Sequence, residues 1–96
     1  MTQQPNQIQI KAADETLRGV YANATQVLHT REEFVLDFLN MFPPTGTLNA
    51  RVIVSPSHLK RIAQTLQENL KKYEDAFGVI KTADAPADSI GFEARG

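Results

Sequence analysis

The segment from Ser55 to Gly78 constrains what this chain can fold into more than any other. It opens Ser55-Pro56, an N-cap residue followed by a proline at the first helical position, where the missing N–H is not needed. It closes on Gly78, the residue type that best tolerates the left-handed turn past a helix end. Between them Leu59, Ala63, Leu66, Leu70, Tyr73 and Phe77 recur at spacings of 4, 3, 4, 3 and 4. That is a heptad seam, more regular than a loose amphipathic stripe, and Ile62 widens it on one side. Glu68 and Lys72 make a favourably oriented i,i+4 pair on the wet face. A helix of about 22 residues is roughly 33 Å long, which is long for a protein of 96 residues.

Such a chain has room for one domain. The packed part is expected over residues 7–80, with 1–6 a disordered N-terminus and 81–96 a mobile, Ala-, Asp-, Pro- and Ser-rich tail. A core that small is marginal, and partner subunits are a common remedy. Ten basic and eleven acidic residues give a net charge of −1, which carries no overall footprint for nucleic acid or an anionic membrane. The absence of cysteine excludes disulfides, thiolate metal sites and cysteine nucleophiles. The opening Met1-Thr2-Gln3-Gln4-Pro5-Asn6-Gln7 has neither the basic region nor the apolar segment of a secretory signal. No apolar run approaches the ~20 residues that span a bilayer. A soluble, cytoplasmic protein is the expectation.

Upstream of the helix the chain reads as strands. Gln7 to Lys11 alternates strictly, with Ile8 and Ile10 on one side. Ala13 to Thr16 has turn composition, and Val20 to Leu28 fits a second strand, weakened by Ala22 and Ala24. Thr30 to Phe42 supports two readings. Thr30 and Glu33 have capping-box spacing, and Phe34, Val35, Phe38, Leu39 and Phe42 fall at helical intervals. As a strand, Phe34, Leu36 and Phe38 take one face. Val35, Leu39 and Met41 take the other, with Asp37 the exception. Six bulky apolar residues in eight positions suit a strand covered on both sides. Pro43-Pro44-Thr45-Gly46-Thr47 breaks that element, and Leu48 to Val54 alternates as a strand feeding the helix.

Four pieces in series resemble a known family. They are Val20-Tyr21-Ala22-Asn23; His29-Thr30-Arg31-Glu32-Glu33-Phe34-Val35-Leu36-Asp37-Phe38; Arg51-Val52-Ile53-Val54-Ser55-Pro56-Ser57-His58-Leu59-Lys60-Arg61; and Asn69-Leu70-Lys71-Lys72-Tyr73-Glu74-Asp75-Ala76-Phe77-Gly78. The chain is similar over roughly Ile8 to Ile80 to a family of short bacterial proteins catalogued as a domain of unknown function. The resemblance implies strands followed by one long helix, which tips Glu33 to Phe42 towards strand. At the level of fold alone it is similar to the strand-strand-strand-strand-helix subunit of the export chaperone SecB. It brings no catalytic residues, and likeness of fold is not likeness of function.

Candidate chemistry is sparse. His29 with Glu33 and Asp37 has the residue types of acid–base catalysis, yet reads more simply as a turn histidine. Two histidines 29 positions apart, with no cysteine, make no zinc spacing. His58, Lys60 and Arg61 in the first helical turns, with Arg51 on the preceding strand, form a candidate anion or partner contact. Asp37 is either a buried carboxylate paired with Arg51 or Arg18, or the exposed spot of its strand. Ile90-Gly91-Phe92 is an apolar island in the polar tail, a docking motif or chance content.

The sequence therefore predicts an α+β fold: a small antiparallel meander of about four strands carrying one long C-terminal helix. One helix covers one face of a sheet, so a second apolar face implies a dimer or a dimer of dimers. Val35, Phe38, Leu39, Met41, Leu66, Leu70 and Tyr73 are the expected interface. The expected role is a non-enzymatic, homo-oligomeric interaction module without cofactor or metal, taking a polypeptide partner in a chaperone-like way. The alternative is a small nucleic-acid-associated or regulatory protein using the Arg51–His58–Lys60–Arg61 corner.

Overall fold

The computed structural model describes residues 7–84, 86 and 90–92. The expected disorder of 1–6, and part of the expected tail, lie outside the described residues. Five elements follow in order: helix α1 (Asp14–Arg18), strands β1 (Ala24–His29), β2 (Phe34–Phe42) and β3 (Thr45–Val54), and helix α2 (Pro56–Phe77). The strands form one antiparallel sheet in the order β1-β2-β3, a meander with β2 at its centre.

The segment with two readings, Thr30 to Phe42, is a turn followed by strand from Phe34 onward. Thr30, which has the spacing of a helix cap, instead closes the β1–β2 turn. Its Oγ1 accepts from the amides of Glu32 and Glu33 at 3.2 and 3.3 Å, and its own N–H donates to the Glu33 carbonyl at 2.9 Å. A threonine oxygen satisfies two successive amides in either setting, so the local signature was genuine and the pairing partner decided the outcome. Asn23 extends this hairpin beyond β1. Its side-chain amide donates to the Met41 carbonyl at 3.0 Å, and its Oδ1 accepts from the Met41 N–H at 2.7 Å.

Pro43-Pro44 makes the β2–β3 turn, pairing Phe42 with Thr45. β3 thus starts three residues before Leu48, where its alternation begins. Gly46 lies opposite Met41, and a Cβ there would come within 2.7 Å of the Met41 sulfur. A register shift between Phe38 and Leu39 leaves Asn49 as an extra residue in β3. The Asn49 side-chain amide donates to the Tyr21 carbonyl at 2.6 Å and so ties the segment before β1 to the sheet.

Expectations are corrected at three places in the chain. Residues 7–11 form no strand, and Ile8 and Ile10 are 83% and 87% exposed, so the sheet has three strands rather than four. Alternation alone gives a strand no partner for its ladder. The turn expected near Ala13 to Thr16 is the short helix α1, and β1 begins at Ala24, later than Val20.

The third correction is the largest. α2 has the expected bounds and caps: Ser55 Oγ accepts from the His58 amide at 3.1 Å, Pro56 opens the helix, and Gly78 leaves it at φ 99°. Yet α2 does not lie on the sheet. Among the described residues, strand–strand packing is the only substantial tertiary contact between elements, and no residue of α2 is buried. Ser55 alone joins β3 to α2. A single extended residue before a proline sends the helix onward from the strand end; folding it back across a sheet face takes a longer connection. The ion pair on α2 is Lys71–Asp75 at 2.9 Å, in place of Glu68–Lys72.

The result is an open molecule. Its extents are 54 × 42 × 33 Å and its radius of gyration is 17.1 Å, against about 12–13 Å for a compact domain of this length. Its accessible surface is 9028 Å², against about 5,500 Å² for a compact monomer of its mass. Segments 7–13 and 79–84 and most of α2 are exposed.

Candidate functional site

Strand pairing sorts the sheet residues into two faces. Val27, Phe34, Leu36, Phe38, Val52 and Val54 share one face. Leu28, Val35, Asp37, Leu39, Arg51 and Ile53 share the other. Both are apolar in the manner of a sheet meant to be covered on each side, and α2 covers neither.

On the second face Asp37 is fully buried, and Arg51, directly across from it on β3, holds both of its oxygens. Nε donates to Oδ1 at 2.7 Å and an Nη to Oδ2 at 2.8 Å. Of the two partners open to Asp37 from sequence, Arg51 is the one it takes. This hydrogen bonding from Arg51 holds the Asp37 carboxyl below its ordinary pKa, against the opposing push of burial, and raises the Arg51 guanidinium in turn. Arg51 remains 47% exposed, so its outer surface stays available. The Phe92 ring takes that position, with the guanidinium carbon 5.7 Å from the ring centroid.

Phe92 belongs to a groove of about 780 Å³ between the β2–β3 turn and the tail, lined by Leu39, Met41, Thr45, Leu48, Ile90 and Phe92 among others. Ile90 is half-buried in it. Spacing gave no reason to connect this island to the sheet; the signal was two apolar residues standing in a polar tail.

The expected anion corner comes apart. Arg51 is committed to Asp37, which neutralises it. His58 and Arg61 face each other, Nδ1 to Nη at 3.1 Å, and Lys60 is exposed. Among the described residues no group of three His, Cys, Asp or Glu side chains could hold a metal ion.

The expected oligomer interface is also redistributed. Leu39 is 3% exposed, the most buried apolar residue of the sheet, and so forms core within one chain rather than an outer contact. Val35 and Met41 are half-buried on its face, and Phe38 is half-buried on the opposite one. Near Phe38, the Asn40 side-chain oxygen is enclosed and accepts no hydrogen bond. Leu66, Leu70 and Tyr73, which would be buried beneath a sheet-packed helix, are 59%, 51% and 50% exposed. Tyr73 and Phe77 pack on each other, with ring centroids 5.0 Å apart.

A family model matches residues 1–82, spanning α1, the sheet and α2. The chain belongs to the family described as Protein of unknown function (DUF3467). The match stops short of Ile90 and Phe92, so the groove's tail segment lies outside it. No curated protein and no solved structure matched the chain.

Proposed function

We propose that the protein is a non-enzymatic interaction module that works as a homo-oligomer, a dimer or a dimer of dimers. The observation that carries this reading is the heptad stripe of α2, which runs the length of a 22-residue helix and has no residue buried against the described residues of its own chain. A soluble monomer seldom exposes a contiguous apolar patch above a few hundred Å². An isolated helix of this length and ordinary composition is also marginal in water. A helix with well-made caps and an unpaired seam is therefore half of an interface. The uncovered sheet face bearing Val27, Phe38 and Val52, and the unsatisfied Asn40 oxygen beside it, support the same reading.

The groove beside Leu39 favours a polypeptide as the outside partner. It already holds an aliphatic and an aromatic residue two apart in sequence, the aromatic ring resting on Arg51. Light scattering at micromolar concentration tests the oligomer. A mass of two or four times 10.7 kDa is expected, and the monomer mass would refute it.

A further inference from the structure

The apolar seam of α2 has an internal symmetry. Its six residues are placed symmetrically about Glu68: Leu59 mirrors Phe77, Ala63 mirrors Tyr73, and Leu66 mirrors Leu70. We propose that α2 packs against α2 of a second copy in an antiparallel pair, with the two-fold axis passing beside Glu68. This rests on the self-association proposed above and specifies its direction and register.

Complementarity of volume supports the antiparallel direction. In that arrangement each layer of the seam joins mirrored residues, so Ala63 meets the partner's Tyr73 and Leu66 meets the partner's Leu70. The smallest residue is always opposite a large one, which keeps the layers evenly filled. A parallel pair joins like with like. Ala63 would then face the partner's Ala63 and leave a void, while Phe77 would crowd the partner's Phe77.

Complementarity of charge points the same way. Beside the seam on one edge lie Lys60, Gln67 and Glu74 at heptad intervals. Antiparallel packing sets Lys60 near the partner's Glu74, and the symmetry makes that pair twice, with the two Gln67 side chains between. The other edge carries Ile62, Asn69 and Ala76. There Ile62 reaches the small Ala76 of the partner subunit, so the extra width of the stripe is used. Parallel packing would bring Asn69 to Glu74 and Ile62 to Gln67, with no pair of opposite charge. One Glu74 carboxylate oxygen accepts from the Ile80 amide at 2.8 Å, which leaves the other for this contact. Glu68 stands on the side away from the seam, so the axis brings no two carboxylates together.

Disulfide trapping tests the register, because the protein has no cysteine of its own. Ala63→Cys and Tyr73→Cys are made singly in the full chain, mixed, and oxidised. A cross-link between the two variants is expected, with none in Ala63→Cys alone, since its two copies would lie ~15 Å apart along the axis. Self-cross-linking of Ala63→Cys would show a parallel pair and overturn the proposal while leaving self-association intact. A dimer mass with no cross-link in either case would place the interface elsewhere and overturn it too. A monomer mass would overturn both readings. Charge exchange is a second measurement that needs no cysteine. K60E should raise the dimer dissociation constant about tenfold, and K60E with E74K should restore it. Failure of that restoration, with the fold intact by circular dichroism, would also contradict the register.

Discussion

Asp37 is the residue on which sequence and environment disagree most, a carboxylate at the centre of an apolar strand. Its burial is tolerable because Arg51 meets it with a two-point fork. The folded-state pKa lies below the ordinary 3.8, so the stability it contributes is fully present above the unfolded value. That stability is lost as the pH falls through the lower, folded value. The stability gap between the native protein and Asp37→Asn should therefore be constant near neutrality and narrow below pH 3.8, which urea denaturation across pH will show. A gap that widens on acidification would reverse the sign. On the outer side of Arg51, Phe92→Ala should lower stability by about 1 kcal/mol through lost stacking and burial. An unchanged urea midpoint would mean that the ring is not held there. At the helix start, Ser55→Ala removes the acceptor of the His58 amide and should cost about 1 kcal/mol, read from thermal melts.

At the scale of elements, what was legible in the sequence is what local chemistry determines. Ser55, Pro56 and Gly78 mark the ends of α2 because caps act within a turn or two of the residues concerned. The alternation of β2 also showed its two faces correctly, with Asp37 on the side of Val35 and Leu39; that of β3 did so from Ala50 to Val54, whereas the extra residue Asn49 shifts Leu48 to the Leu39 face. Thr30 was ambiguous because the same side-chain bond serves a helix start and a tight turn. What was not legible depends on distant pieces of chain. Residues 7–11 alternate as well as any strand but find no ladder partner. The packing of α2 on the sheet was inferred from its apolar stripe, and a stripe states only that something covers it. The candidate site shows the same division. The pairing of Asp37 with Arg51 was among the options the sequence allowed, whereas the placing of Phe92 over that pair depends on how the tail returns. The seam itself gives a prediction at this scale. Leu66 is 59% exposed in one chain, so Leu66→Ala should scarcely change the sheet but should weaken self-association by about a hundredfold or more, measured by sedimentation. Glu68→Ala, on the far side of α2, should change it little.

For the whole molecule, the sheet has two apolar faces, the helix has one apolar seam, and among the described residues the tail at Leu39 and α1 near Asn49 reach back over the sheet. On the reading proposed above, another copy completes a chain with so little of its surface buried, and α2 is the surface best built for that. The most direct measurement is hydrogen exchange of the α2 amides, Leu59 to Phe77, over a dilution series that crosses the dissociation constant. Protection of α2 should fall on dilution as the dimer separates, while the β2 and β3 amides keep theirs to lower concentration. Protection of α2 that is independent of concentration, in a sample whose mass is that of one chain, would contradict the account.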